Sequence, residues 1–187
     1  MSKSIKSFLN NNIHWKRISR KTLFENSRIT LIEDEVELPS GNKVPYLLFG
    51  LGTKSVTVIC IRDKKVLLQQ EYSYPPDKML YQFPGGKVEA NELPIDAARR
   101  ELIEESKLSP NSIHELGWYY INNRRSDAKM HVMIVEGFKK NNSLIGDSEE
   151  DITSRWISVV KFEEMIARGQ IVNPHALAAW TMFKSKS

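Results

Sequence analysis

Residues 84–108 read PGGKVEANELPIDAARRELIEESKL. A Pro-Gly-Gly turn leads through a polar loop to Pro94, a residue suited to the first position of a helix. Ile95, Ala98 and Leu102, with Ala97 beside them, recur at spacings of three and four and give that helix an apolar stripe. Glu101, Glu104 and Glu105 stand at i, i+3 and i+4, so three carboxylates share one side. Like charges at i,i+4 cost a helix about 0.2–0.5 kcal/mol per pair. Carboxylates so close repel until one takes a proton. A divalent cation removes the conflict, because hard cations such as Mg2+ take oxygen ligands and are held by one or two carboxylates plus substrate phosphates. The stripe is therefore expected to form one wall of a metal site. Gly85 and Gly86 allow close approach of the backbone, so a carbonyl there can add an oxygen. Arg100 is placed to pair with Glu92. Taken alone, the acids also read as a solvated helix face.

Working outward, KTLFEN, SRITLIEDEVELP and KVPYLLFG are β-like, and Ser40-Gly41-Asn42 turns the last two into a hairpin. Gly50 to Lys54 is a seam. SVTVICI has β-branched residues on both faces and reads as a strand buried on both. VLLQQEY follows as a strand, YSYPPDKM as a loop, and HELGWYY, HVMIVEGF and SRWISV as strands. KFEEMIARG is a short helix with Phe162, Met165 and Ile166 inward and Gly169 as its stop. NPHALAAWTMF is another, capped by Asn173 with Pro174 next. The mixture predicts a mixed sheet with helices on both faces.

The whole chain has 187 residues, 41% of them hydrophobic and 27% charged, which suits a globular protein. No apolar run approaches the ~20 residues that span a bilayer. The start, MSKSIKSFLNNNIHWKRISRK, is polar throughout, so no export signal is read and a cytoplasmic location is expected. The single cysteine, Cys60, builds no disulfide framework and is expected in the core. Lys3, Lys6, Lys16, Arg17, Arg20 and Lys21 precede the first acid, Glu25. They read as a solvated tail, with phosphate contact as the alternative. His14, His114, His131 and His175 lack ligand spacing and read as structural or exposed. Trp15, Trp118, Trp156 and Trp180 read as core.

The spacing from Gly86 onward closely resembles the Nudix box: glycine, five residues, glutamate, seven residues, then Arg-Glu-apolar-any-Glu-Glu-any-Gly-apolar. Gly86, Glu92, Arg100, Glu101, Leu102, Glu104, Glu105 and Leu108 fit. Lys107 stands where the family has glycine. The resemblance implies an α/β fold, a Nudix-type α/β/α sandwich with a mixed sheet preceded by a small antiparallel β module. Residues 1–52 would be the arm and module, used for dimerisation, and 53–187 the Nudix hydrolase domain. It further implies Mg2+ (or Mn2+) and hydrolysis of a nucleoside diphosphate linked to another moiety. Glu101 and Glu105 would be metal ligands, Glu104 a third ligand or a residue orienting water, and the Gly85 carbonyl a further oxygen. Arg100 and Gly86 belong to the same box. In nucleotide-sugar members a base comes from an acidic loop downstream; here that is GDSEEDI, with Glu149 or Glu150.

The small β module, the GNKVPY hairpin and the ending RGQIVNPHALAAW look like the ADP-ribose pyrophosphatase group, whose members pair as homodimers. Ser73 follows Tyr72 where such enzymes often carry arginine, which leaves Arg124 and Arg125 as candidate phosphate contacts. Tyr72 or Tyr74 is placed to stack on a base. The expected partner is a small-molecule nucleotide, with no membrane and no nucleic acid. The competing readings are a nucleotide-sensing module that does not cut, and an RNA-end or dinucleoside polyphosphate hydrolase.

Overall fold

A computed structural model describes residues 14–140 and 153–186. It divides into two compact units, one reaching to Leu51 with Asn122–Ser126 added, the other formed by Gly52–Ile121 and Asp127–Ser187.

The first unit is a three-stranded antiparallel sheet of β1 (Lys16–Glu25), β2 (Thr30–Glu37) and β3 (Lys43–Phe49), in that order. Gly41, at φ 84°, makes the β2–β3 turn, a backbone state that favours glycine. Across the β1–β2 ladder Lys16 faces Glu37, Arg20 faces Asp34 and Lys21 faces Glu33. Arg20 grips Asp34 with Nε at 2.6 Å and Nη2 at 2.7 Å from its two oxygens. That fork holds the Asp34 carboxyl below its ordinary range. The basic run is thus not a solvated tail from Lys16 onward. It is a strand, because opposite charges directly across an antiparallel pair stabilise the ladder. Lys3 and Lys6 lie outside the described residues.

The second unit carries β4 (Lys54–Arg62), β5 (Lys65–Ser73), β6 (Lys78–Gln82), α1 (Pro94–Ser106), β7 (Leu108–Tyr120), β8 (Lys129–Lys140), β9 (Thr153–Ser158), α2 (Val159–Ala167) and α3 (Pro174–Lys184). Its sheet runs β6-β5-β4-β8-β7, with β9 on β5. β4 and β8 are parallel and the other pairs antiparallel, so the sheet is mixed.

Both faces of β4 are buried. Val56, Val58 and Cys60 join Ala97, Ala98 and Leu102 of α1 in one core cluster. Ile59 joins Phe162 and Met165 of α2 and Ala176, Ala179 and Trp180 of α3 in the other. Burial pushes the Cys60 thiol up to about 12, as befits an inert core residue. Phe162 meets Trp180 edge to face at 4.9 Å between ring centres.

Three expectations change. The α1 stripe narrows to Ala97, Ala98 and Leu102, while Ile95 is 39% exposed; two small side chains let the helix lie close to the sheet and leave Ile95 at its rim. β7 begins at Leu108, well before HELGWYY. Pro110 disguised that stretch, but β7 ends the sheet order, and an edge strand tolerates proline. Trp15 and Trp118 are about half exposed rather than core.

β4 pairs with β5 only at Ile61–Val66 and Arg62–Lys65. Ahead of those pairs its backbone bonds to the Pro-Gly-Gly turn: Val56 N–H to Gly86 O at 2.8 Å, Val58 N–H to Pro84 O at 2.7 Å, and Val88 N–H to Lys54 O at 2.9 Å. The turn is thereby stitched to the most buried strand. α1 ends at Lys107, which is left-handed at φ 57°, its N–H on Ile103 O at 2.9 Å. A Cβ in that state is strained. Lys107→Gly is expected to raise stability by about 1 kcal/mol, measured as a higher denaturant midpoint with unchanged slope.

Candidate active site

The Gly-Gly turn and the last turns of α1 face each other. A Cβ built on Gly86 would sit 2.4 Å from Oε1 of Glu101, and one on Gly85 would sit 2.1 Å from the Val56 carbonyl oxygen. At Gly85 the neighbouring backbone leaves room only for glycine, whereas at Gly86 a side chain would displace the Glu101 carboxylate. Glu105 Oε2 accepts the Gly85 N–H at 3.0 Å and the Gln69 Nε2–H at 3.1 Å. Gln69 is fully buried on β5.

Arg100 organises the other acids. Its Nε and Nη2 meet the two Glu92 oxygens at 3.0 Å each, while Nη1 reaches Glu101 Oε1 at 2.8 Å and Glu104 Oε2 at 3.2 Å. Nη2 also donates to the Lys87 carbonyl at 3.0 Å. Glu92 Oε2 further accepts the Glu89 N–H at 2.9 Å. The Arg100 bonds, and after them the Glu89 N–H, hold the Glu92 carboxyl below its ordinary value. Arg100 itself is raised, chiefly by the Glu92 bonds.

The three glutamates are thus neighbours, but they do not converge on one point. Glu101 and Glu104 turn to Arg100, and Glu105 turns to Gly85. Among the described residues no group of three or more His, Cys, Asp or Glu side chains is gathered tightly enough to hold a metal ion. Glu101 and Glu104 share Arg100, while Glu105 accepts N–H bonds from Gly85 and Gln69, which relieves the mutual repulsion. The donor set still suits a hard divalent cation. It is all carboxylate oxygen, and the absent side chain at Gly86 lets the Glu101 carboxylate lie against the turn.

A cavity of about 220 Å³ opens on the same turn, lined by Gly85, Gly86 and Lys87 together with Ser55, Thr57, Gln82, Asn173 and His175. Asn173 Oδ1 caps α3 through the N–H groups of His175 and Ala176, and its Nδ2 donates to Gln82 Oε1 at 3.1 Å. Gln82 Nε2 donates to Glu71. His175 Nδ1 lies 3.0 Å from the Tyr119 hydroxyl. Burial lowers the His175 pKa and raises that of Tyr119. The cavity therefore presents amide, hydroxyl and neutral imidazole groups beside the acids.

The model of the NUDIX domain family matches residues 52–179. The chain belongs to this family. Nudix hydrolases generally use a divalent metal. An ADP-ribose pyrophosphatase from Bacillus subtilis (strain 168) is 27% identical over 65% of this chain and 65% of its own length. A second, from Mycobacterium tuberculosis (strain ATCC 25618 / H37Rv), is 26% identical over 88% of this chain and 80% of its own. The solved structure of an ADP compounds hydrolase superposes with a TM-score of 0.83 at 18% identity, covering 91% of this chain and 92% of that one, which shows the fold.

Of the residues singled out in the Nudix sequence, Gly85, Gly86, Arg100, Glu101, Glu104 and Glu105 come together. Arg124 and Arg125 lie in the first unit, whereas the glutamates lie in the second. Arg125 stacks over Tyr46 at 5.5 Å and donates to the Leu47 carbonyl at 3.3 Å; the Arg124 carbonyl accepts the Tyr46 hydroxyl at 2.6 Å. Tyr72 is half exposed and donates to Asp77 at 2.8 Å. Glu149 and Glu150 fall outside the described residues. His131 is buried against Glu115 at 2.8 Å. The residues missed were Gln69, Gln82, Ser55, Thr57 and His175. The one available signal was a glutamine, Gln69, directly after the apolar run Val66, Leu67 and Leu68.

The Glu92–Arg100 pair carries a pH signature. Glu92 is depressed below its ordinary 4.5, so its stabilisation is present above that value and is lost as pH falls through its folded-state pKa. Glu92→Gln is expected to lower the melting temperature at pH 7, with the gap to wild type closing as pH drops below about 4, read from thermal melts across that range.

Proposed function

We propose that this Nudix protein is a Mg2+-dependent hydrolase of the pyrophosphate bond in a nucleoside diphosphate linked to another moiety. ADP-ribose or a related nucleotide sugar is the substrate, and a nucleoside monophosphate and a sugar phosphate are the products. The observation that carries this reading is the intact set Glu101, Glu104 and Glu105 beside a Gly-Gly turn whose Gly85 has no room for a side chain and whose Gly86 lies against the Glu101 carboxylate. The names of the two relatives support the substrate class.

Glu101 and Glu105 would hold the metal, with Glu104 as a third ligand or orienting the water, and the Gly85 carbonyl completing the protein's share. A divalent ion there offsets charge on the phosphate oxygens and makes bound water nucleophilic near neutral pH. The chain's own part is placement. The Gly85 N–H and Gln69 fix one oxygen of Glu105, Gly86 lets the Glu101 carboxylate lie against the turn, and Arg100 ties Glu101 and Glu104 to Glu92 and Lys87. The cavity on the far wall of the turn takes one of the groups flanking the diphosphate, gripped by Gln82, Asn173 and His175. Its 220 Å³ suits a sugar or a base, not both. Glu149 or Glu150 would be the base that takes the proton of the attacking water.

The first unit is assigned to homodimer formation, supported by β1, which is exposed along its whole length and carries Ile18, Leu23 and Phe24. Among the described residues no helix is long and apolar enough to cross a membrane. A lone unpaired thiol fits the reducing cytoplasm, where we place the protein.

The test is incubation with Mg2+ or Mn2+ and a panel of nucleotide sugars and dinucleotides, followed by separation of products. A monophosphate and a sugar phosphate are expected; silence across the panel would overturn the reading. Glu105→Gln should cut turnover by more than about 100-fold, since loss even of a group behind a ligand costs about 10–100-fold. Gly86→Ala should melt near wild type, because the new methyl meets only the movable end of Glu101, yet lose most turnover by displacing that carboxylate.

A further inference from the structure

Gln69 sits on β5 with no exposed surface, directly after the core residues Val66, Leu67 and Leu68. Its amide faces two groups. Nε2 donates to Glu105 Oε2 at 3.1 Å and to Ser154 Oγ at 3.4 Å. Its Oε1 is buried and has no hydrogen-bond partner. An orphaned acceptor in the core is costly. Rotating the amide by half a turn does not cure it, because Oε1 would then oppose the Glu105 carboxylate. The orientation is therefore forced by Glu105 and held at the expense of the amide's other end.

Glu105 has particular need of such a donor. It lies in the last turn of α1, which contains no basic residue. Carbonyl ends of a helix disfavour an anion. The Gly85 N–H and the Gln69 amide both donate to one and the same oxygen, one from the box turn and one from the sheet. Two donors from independent elements hold that oxygen in place more firmly than either does alone.

From this we infer that Gln69 is a positioning residue for Glu105: it holds that carboxylate in the attitude from which it binds the divalent ion, and it is kept for that purpose and not for the fold. The inference rests on the reading of Glu105 as a metal ligand. Outer partners of metal-binding carboxylates act in this way, and their loss typically lowers metal affinity about 10–100-fold.

Gln69→Met separates the two roles, because it keeps the length and volume of the side chain and removes both the donor and the orphaned acceptor. Mn2+ binding to the full chain without nucleotide is measured by calorimetry or by electron paramagnetic resonance, alongside a thermal melt. The expected result is a melting temperature equal to or above wild type with Mn2+ affinity lowered about tenfold or more. At saturating metal the KM for the nucleotide should stay within about threefold, since Gln69 is not among the residues lining the cavity beside the turn. Ser154→Ala, which removes only the long contact, should bind Mn2+ as wild type does. Unchanged Mn2+ affinity in Gln69→Met overturns the inference while leaving the metal site standing. A melting temperature well below wild type would make Gln69 a residue of the fold and overturns it too. Wild-type protein that binds no Mn2+ removes the metal reading itself, and this inference with it.

Discussion

Three carboxylates within five residues repel one another, and everything at this site depends on what holds them still. The answer is backbone. Pro84, Gly86 and Val88 exchange hydrogen bonds with Lys54, Val56 and Val58 along the edge of β4 that β5 leaves uncovered. That stitching fixes the Gly-Gly turn relative to the core. Gly85 then has no room for a side chain because the Val56 carbonyl is there, and Gly86 has none because Glu101 is there. The turn is rigid because β4 is buried on both faces, and the acids are ordered because the turn is rigid.

The packing follows the same logic. β4 divides the second unit into two cores, and α1 reaches the first of them through Ala97, Ala98 and Leu102. Two alanines allow a close approach of helix to sheet, so the last turn of α1 meets the glycines instead of standing off them. Lys107 ends the helix in a left-handed state that glycine would adopt more cheaply. The chain leaves it straight into β7, which returns along β8. Helix, turn and sheet are thus closed into one frame around Glu105.

Charge is handled locally. Arg100 serves Glu92, Glu101 and Glu104 at once, while Glu105 is served by neutral N–H donors. The family is shown by the match over residues 52–179. The substrate reading stands instead on the cavity beyond the turn and on the relatives' names.

Much of this was legible in the chain. Helical spacing carries its own period, so α1, its acids and Pro94 could be placed from sequence, as could the pairing of Arg100 with Glu92 and the double burial of β4. These are local facts: neighbours at three and four residues, or alternation at two. What escaped was non-local. Lys16 to Lys21 form a strand only because the acids of β2 lie opposite. Arg125 meets Tyr46 across a long stretch of chain. Gln69 meets Glu105 across 36 residues, and Gln82 meets Asn173 across 91. No spacing rule reports such pairs, because strand register and helix docking decide them after the chain has closed on itself. Sequence alone supplied the reactive carboxylates and the glycines beside them. Tertiary structure chose which donor each carboxylate faces, since only the folded sheet brings the far ends of the chain within hydrogen-bond reach.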